Sequence, residues 1–438
     1  MKLTRNRFPE ISVLGIAAAV LSLLASFDRT VAAEPIKIGF SMALTGAYAG
    51  NGKAALLATQ IWAEDQNTKG GLLGRQVQLV YYDDQSNPSL VPGIYTKLFD
   101  IDKIDIVISG YGTNIIGPAM PLVMQHNKVF MSLAGLRVNE QFRYDKYFQI
   151  FPFGPDADVT FAQGFFDVAI TLNPKPKTVA ISVADSEFPQ TAAVGARAWA
   201  KKYGLKVVYD RSFPPNAVDF APIVRAIQAA NPDIVYIACF PPNAVGIVRA
   251  VREIGFKPML IGGGMVGPQY ASVKQQLGPL LNGFMSFETF VPEPMTNFPG
   301  IKEFLSRYKP KAIEAGVDAL GYYLPPFSYA GMQILAAAAE TTKSFDQNKM
   351  ADYIHKTTHR RRDSLRPGRR MGGVPDLSGA VPEDRWKRFG AVRAARDTGH
   401  FVPAGLQVRK ARVPATSAMR EESGEPGTAV VRSTKGHS

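Results

Sequence analysis

The 438-residue chain has little of what many enzymes need: one cysteine, Cys239, and five histidines. One cysteine cannot form an internal disulfide, and we expect a buried, inert thiol. His359, His400 and His437 fall in the last part of the chain. Gly-x-Ser-x-Gly, His-Glu-x-x-His and Cys-x-x-Cys patterns, which carry nucleophilic, zinc and redox chemistry, are all missing. These absences argue against an enzyme, and we expect no cofactor and no metal.

The body of the chain has little net positive charge, although the formal net charge of the whole chain is +13. Residues 359–438 hold 17 Lys or Arg against 8 Asp or Glu, and residues 1–33 hold four basic against two acidic side chains. The stretch 34–358 therefore carries only +2. A nearly neutral body argues against a nucleic-acid partner.

The first 33 residues have the pattern of a secretory signal. Lys2, Arg5 and Arg7 form a basic start, residues 13–24 are apolar, and Val31-Ala32-Ala33 resembles a cleavage site. An N-terminal membrane anchor is the alternative, but the apolar run is short for a bilayer span. No later run is long enough to span one, and no cysteine near the cleavage site offers a lipid anchor. We expect a cleaved signal peptide and a soluble periplasmic protein.

The chain is organised around the stretch that follows. An apolar strand over 36–42 leads into a loop containing Gly46, Gly50 and Gly52, and apolar residues then recur at helical spacing. A strand, a Gly-rich turn and a helix N-terminus in this order form a site for an anionic or polar ligand. The spacing does not match a phosphate-binding P-loop, because Lys53 is followed by alanine instead of Ser or Thr.

Strands and helices alternate through most of the remaining chain. Strands alternating with helices predict doubly wound parallel sheets, whose ligands bind at the carboxyl ends of the strands. A pause at 147–153 suggests a first crossing between two lobes. The fold class we predict is α/β, with two doubly wound parallel-sheet lobes joined by a multi-crossing hinge that closes over a ligand. The predicted division is 1–33 signal peptide, 34–152 first part of lobe 1, 153–285 lobe 2, 286–345 second part of lobe 1, 346–358 return towards lobe 2, and 359–438 atypical basic tail.

Several short motifs in order resemble one family. They are Ile36-Lys37-Ile38-Gly39, the Thr45-Gly46 turn, Tyr82-Asp83-Asp84 before Asn87-Pro88, and Ser109-Gly110. Over about 35–358 the chain resembles the type I periplasmic binding proteins, and among them the leucine/isoleucine/valine-binding receptors of ABC transporters. The resemblance implies a ligand held between the lobes and delivered to a membrane permease.

The resemblance also implies the ligand-binding positions. Gly112 and Thr113 match the loop that holds a ligand carboxylate, and Gly264 matches the place where amino-acid binders often have an acid that pairs with the ammonium group. The full set of implied contacts is Tyr48, Asn51, Gly112, Thr113, Ala134, Gly135, Leu136, Phe188, Phe240, Gly264 and Tyr323.

Two of these positions depart from the family pattern. Leu136 stands where amino-acid binders usually have a hydroxyl, and Gly264 removes the ammonium partner. A buried ammonium without a carboxylate is costly. Asp185 or Glu187 could replace that acid. The ligand is therefore left open between an amino acid and another small organic acid or amide.

Simpler structural roles compete with some of these assignments. Thr113 can cap the following helix, and Phe188, Phe240 and Tyr323 can be core aromatics. Two stretches are expected to be local structure: Gly262-Gly263-Gly264 as a turn that permits close backbone approach, and Asp83-Asp84 as a turn and cap instead of an acid/base pair.

The function that we expect is that of a monomeric periplasmic substrate-binding protein of an ABC transporter. Its partners would be a small-molecule ligand (amino acid, organic acid or amide) and an ABC transporter permease. The alternatives are a ligand sensor that feeds a signalling receptor and, less favoured, a hydrolytic enzyme. Genomic neighbours encoding permease and ATPase subunits would separate transport from signalling.

From His359 onwards the composition changes. The segment has 14 arginines, three aromatics and no sustained periodicity, which predicts disorder or weak folding. The family instead ends with further strands, so we expect that the reading frame changed near Thr358. A basic tail that binds nucleic acid or a membrane surface is the alternative.

Overall fold

Five parallel strands form the first sheet. The structure, a computed structural model, describes residues 33–151, 153, 156–289 and 300–364. The strand order is β2-β1-β3-β4-β5, and every pair is parallel. The two central strands, β1 and β3, are almost entirely buried, as the continuous apolar runs of the sequence predict. The strands are β1 (Ile36–Met42), β2 (Val77–Asp83), β3 (Ile106–Tyr111), β4 (Phe130–Leu133) and β5 (Tyr147–Gln149).

Helices connect these strands. The Asn87 side chain accepts a hydrogen bond from Ser89 N (3.0 Å) and caps a 3₁₀ turn, Pro88–Leu90, that has proline at its first position. The helix that follows this turn presents Val91, Tyr95 and Leu98 to the core. The helices of this part are α1 (Ala49–Thr68), α2 (Val91–Asp100), α3 (Thr113–Gln125) and α4 (Val138–Phe142).

The second sheet also has five parallel strands, in the order β10-β9-β8-β6-β7. The two sheets with their interleaved helices confirm the predicted fold class. The strands of this second sheet are β6 (Thr178–Ala184), β7 (Lys206–Phe213), β8 (Ile234–Cys239), β9 (Leu260–Met265) and β10 (Phe284–Met285). Its helices are α5 (Ala157–Ala169), α6 (Glu187–Lys202), α7 (Ala221–Ala229), α8 (Pro241–Ile254) and α9 (Ala271–Leu277).

Three last helices pack against the first lobe. They are α10 (Ile301–Glu314), α11 (Pro325–Thr342) and α12 (Gln347–Ser364). The Tyr329 hydroxyl donates to Asp65 of α1 (2.7 Å), and Gln347 Oε1 at the start of α12 accepts from Val129 N (2.9 Å). A return towards the second lobe over 346–358 was predicted. That return stays a prediction; Gln347 of α12 bonds to the first lobe.

The three consecutive glycines 262–264 do not form a turn, so that part of the sequence prediction is wrong. They lie inside β9, between β8 and β10. A Cβ at Gly262 would lie 2.1 Å from Met285 O, and Gly262 has φ +124°. The predicted close backbone approach is therefore present, but it occurs between paired strands.

Parts of the sequence prediction lie outside the described residues. These are the signal peptide and the tail from His359, although the α12 backbone continues to Ser364. The predicted domain boundaries stay a prediction. None of the helices in the described part of the chain is long and apolar enough to cross a membrane.

Candidate functional site

Four helices begin directly after strands, two in each lobe. Tyr48 and Gly112 precede α1 and α3 in the first lobe, and Ser186 and Phe240 precede α6 and α8 in the second. Gly112 has φ +89°, a conformation that favours glycine. Helix N-termini carry partial positive charge and unpaired N–H groups. The strand ends of both lobes can therefore attract a carboxylate.

The loops after β3 and β4 bind each other. The Thr113 hydroxyl oxygen accepts a hydrogen bond from Leu136 N (3.0 Å), and both residues are buried. Gly112 N donates to Leu133 O (3.3 Å). These contacts bring together three predicted site residues, Gly112, Thr113 and Leu136. The Thr113 hydroxyl keeps its own proton for donation to a ligand.

Ala134 and Gly135 belong to the same wall. Ala134 has φ +62°. Gly135 N donates to Gln149 Oε1 (3.1 Å), and a Cβ at Gly135 would lie 2.8 Å from the Tyr147 hydroxyl. The loop is therefore fixed by side chains from β5, and its close packing requires glycine.

Aromatic rings join the two lobes. The ring centroids of Tyr48 and Phe240 lie 4.1 Å apart, and those of Phe188 and Phe240 lie 5.3 Å apart. Asn114 Oδ1 of α3 accepts from Phe188 N of α6 (3.1 Å). Burial, together with the nearby Asp84 carboxylate, raises the pKa of Tyr48 to about 12. Three of the predicted contacts, Tyr48, Phe188 and Phe240, thus meet where the lobes touch.

Tyr323 extends this aromatic group from the segment before α11. Its hydroxyl lies 3.1 Å from that of Tyr111, and its ring packs at centroid distances of 6.0 Å from Phe151, 6.1 Å from Tyr270 and 5.8 Å from Phe287. Burial raises the pKa of both Tyr111 and Tyr323. The group therefore presents neutral hydroxyls among apolar rings.

Asn51 and Tyr270 face each other from opposite lobes. Asn51, in the first turn of α1, is 1% exposed, and Tyr270, at the start of α9, is 5% exposed. Burial, then Tyr323 and Asp318, raise the pKa of Tyr270 well above its ordinary value, while the Asn51 amide acts to lower it. The two groups nevertheless do not reach hydrogen-bonding geometry, so both side chains are unpaired.

Gly264 is the predicted contact that the structure does not bring to these rings. It lies in β9, where a Cβ would be 2.8 Å from both the Tyr236 hydroxyl and Ala238 Cβ. Asp185 and Glu187, the possible replacements for the missing acid, are both exposed.

Asp83 and Asp84 stabilise the loop after β1. Burial acts to raise the pKa of Asp83, but hydrogen bonds from the Thr45 hydroxyl and from the N–H groups of Gln85, Leu44 and Thr45 together lower it. Asp84 is fully buried, and burial raises its pKa to about 6 despite bonds from Ser86 N (2.9 Å) and the Ser41 hydroxyl (3.1 Å). The expected turn role fits these contacts.

Sequence reasoning missed three residues of this site. Tyr111 and Asn114 stand beside Gly112 and Thr113, so the same loop argument could have found them. Tyr270 follows β9, and its position at the end of a strand was hidden because the glycines of β9 were interpreted as the turn.

Comparison with known proteins gives a consistent family. The model of a family described as periplasmic binding protein matches residues 35–371. Leu/Ile/Val-binding protein homolog 2 of Brucella abortus is 26% identical over 318 residues, which are 72% of this chain and 81% of the relative.

Solved structures show the same fold. A leucine binding protein from Thermotoga maritima has a TM-score of 0.61 at 22% identity, covering 74% of this chain and 87% of that protein. A solute-binding protein of an ABC transporter from R. palustris, in complex with 4-hydroxybenzoate, has a TM-score of 0.59 at 19% identity, covering 73% of this chain and 84% of that protein.

Proposed function

Since the chain belongs to the periplasmic binding protein family, in its type I form with relatives named for leucine, isoleucine and valine binding, we propose that it captures a small organic acid between its lobes. In this proposal it is exported to the periplasm by its signal peptide, acts as a monomer and delivers the acid to the permease of an ABC transporter. The observation that carries the proposal is the aromatic contact of Tyr48 with Phe240 at the strand ends of both lobes.

The proposed ligand has a carboxylate and an apolar body. The carboxylate would lie at the start of α3, against Gly112, Thr113 and the loop 134–136, where a helix N-terminus favours negative charge. The body would pack among Tyr48, Phe188, Phe240 and Tyr323, because aromatic rings stack well on flat or branched apolar groups.

In this arrangement, the ammonium group of an amino-acid ligand lacks the carboxylate that amino-acid binders often place at the position of Gly264. Gly264 has no acid to offer and is packed against the Tyr236 hydroxyl, and Asp185 and Glu187 are exposed. A buried ammonium needs a carboxylate to offset its lost hydration. An acid without an α-amino group, such as benzoate or a hydroxybenzoate, is therefore favoured over an amino acid.

A branched-chain amino acid is the second candidate. It is favoured by the names of the curated relatives, at 26% identity for the Brucella abortus protein. For the two lobes to close over an amino acid, a carboxylate from elsewhere in the chain must reach the ammonium group of the ligand.

A thermal-shift assay tests the proposal on the purified protein with leucine, benzoate and 4-hydroxybenzoate. At 100 times its Kd, a ligand stabilises a protein by about 2.7 kcal/mol. We expect stabilisation by at least one of the two benzoates and none by leucine. Stabilisation by leucine alone would favour the second candidate, and no stabilisation by any of the three would contradict the proposal.

A further inference from the structure

A few buried polar atoms in the described part of the chain have no hydrogen-bond partner. They belong to Asn51, Ser182, Ser186, Tyr236 and Tyr270. Ser182 and Tyr236 lie on strands of the second sheet, inside that lobe, and Ser186 is only half-buried as a residue. Asn51 and Tyr270 differ from these because they come from opposite lobes and lie beside the aromatic contact.

Unpaired polar groups of this kind are unusual in folded proteins. Buried donors and acceptors are nearly always satisfied, and an unsatisfied one is destabilising. Asn51 leaves both its Nδ2 donor and its Oδ1 acceptor unpaired, and Tyr270 leaves its hydroxyl unpaired. A protein that keeps such groups where two lobes meet gains from them when a ligand supplies the missing partners.

The chemistry of the two side chains defines the partner. An amide offers one donor group and one acceptor, and a phenol offers the same. The acids near Tyr270 are already engaged: Asp318 accepts from Ala271 N (2.9 Å) and Gly321 N (3.0 Å), and Glu288 pairs with Lys274 (3.3 Å). The subsite itself is uncharged and is suited to a neutral group that both donates and accepts.

We propose that Asn51 and Tyr270 form a subsite for a neutral hydrogen-bonding group of the ligand, such as a phenolic hydroxyl or a carboxamide, in addition to the contact with its carboxylate. The inference rests on the proposed function. It adds that the ligand carries a second polar group and that closure of the lobes completes the contact with that group, since one residue comes from each lobe.

The neighbouring tyrosine pair explains why the subsite is not satisfied internally. The hydroxyls of Tyr111 and Tyr323 lie 3.1 Å apart and bond each other. Tyr323 packs edge-on against Tyr270 at 6.1 Å between centroids. The rings therefore enclose the Tyr270 hydroxyl without supplying its partner.

Isothermal titration calorimetry with benzoate, 4-hydroxybenzoate and terephthalate tests the subsite. One well-made hydrogen bond corresponds to a change in Kd of roughly tenfold. We expect the wild-type protein to bind 4-hydroxybenzoate about tenfold more tightly than benzoate. Terephthalate should bind more weakly than either, because its second carboxylate would be buried without a cation.

Variants assign the selectivity to the two residues. In the double variant Asn51→Leu, Tyr270→Phe, the ratio of the two Kd values should fall to about one. Tyr236→Phe is the matched control, because it removes another unpaired buried hydroxyl, one inside the second lobe, and it should keep the wild-type ratio. Circular dichroism confirms that each variant is folded. If the double variant does not fold, the single variants Asn51→Leu and Tyr270→Phe take its place, and each must reduce the ratio.

The outcomes separate the subsite from the proposed function. Equal binding of benzoate and 4-hydroxybenzoate to the wild type, or an unchanged ratio in the variants, would overturn the subsite and leave the proposed function standing. Binding of none of the three acids would overturn the proposed function and this inference with it.

Discussion

Buried polar groups are hydrogen-bonded in the first-lobe loops, whereas two buried polar side chains on the face between the lobes are not. In the loops, the Thr113 hydroxyl is bonded to Leu136 N, and Gly135 N is bonded to Gln149. On the interlobe face, the side chains of Asn51 and Tyr270 have no partner in the described residues. The backbone N–H groups that fix the loops are therefore bonded without a ligand, whereas the two side chains between the lobes are not.

The bonded loops therefore determine the shape of the site, and the unpaired side chains are the groups available to recognise a ligand. A loop whose hydrogen bonds are internal keeps the same geometry in every state and forms a rigid wall. Under the proposed function, unpaired groups on two separate lobes contribute to binding only when the lobes close and a ligand forms hydrogen bonds with them. The predictions below test this comparison.

The largest effect is expected at Asp84, which bonds to the Ser41 hydroxyl and Ser86 N in the first lobe. Its pKa is about 6 in the fold against about 3.9 for an unperturbed aspartate. Because the folded state holds this proton more tightly, the contribution of Asp84 to the stability of the fold falls as the pH rises from about 4 to about 6, and it is constant above that. We expect Asp84→Asn to abolish this slope and to stabilise the protein at pH 7 by up to about 3 kcal/mol.

Urea denaturation between pH 4 and pH 8 measures the Asp84 effect. Asp83→Asn is the control, since the pKa of Asp83 is lowered. Loss of that charge should give no gain in stability at pH 7. A slope in Asp84→Asn equal to that of the wild type would assign the pH dependence to another group.

Thr113→Val should cost about 1–3 kcal/mol of unfolding free energy, because it leaves the buried Leu136 N–H without an acceptor. Thr113→Ser keeps the hydroxyl and is the matched control. Denaturation at neutral pH measures both. If Thr113→Val is as stable as Thr113→Ser, the wall is not held by this bond.

Phe240→Leu should weaken the binding of benzoate about five- to tenfold, because an aromatic pair contributes about 0.5–1.5 kcal/mol beyond its buried area. Phe213→Leu is the control: Phe213 is equally buried and packs on Phe220 at 5.8 Å within the second lobe. Calorimetric titration of both variants should show weaker binding for Phe240→Leu alone. Equal losses would mean that the interlobe contact has no special role.

The smallest effect is expected for Tyr270→Phe in the ligand-free protein. Its hydroxyl has no partner to lose, so stability should change by less than about 0.5 kcal/mol. Tyr323→Phe breaks the bond to Tyr111 and should cost about 1 kcal/mol. The two variants are compared by denaturation without ligand. A larger loss for Tyr270→Phe than for Tyr323→Phe would reverse the comparison between the two regions.

The sequence predicted those features that depend on neighbouring residues. The cap at Asn87 and the buried strand β1 follow from local residue preferences and apolar runs, and the strand-loop-helix order of Tyr48 and Asn51 followed from the same signals. The resemblance to a family added Gly112, Thr113 and Leu136, which the structure brings together.

Features that depend on distant residues could not be predicted. The position of Gly262 within a strand depends on its close approach to Met285, which sequence spacing does not show. That Asn51 faces Tyr270 depends on how the lobes meet. Neither residue alone indicates that its polar atoms have no partner.

Hydrogen exchange measured by mass spectrometry tests the central claim, that the ligand lies between the lobes, most directly. With saturating 4-hydroxybenzoate, we expect new protection at the starts of α1, α6 and α9, in segments 46–55, 186–190 and 267–274, and little change in the outer strands β2 and β7. Protection confined to one lobe, or spread evenly over both sheets, would contradict a site formed by Asn51 and Tyr270 across the closed lobes.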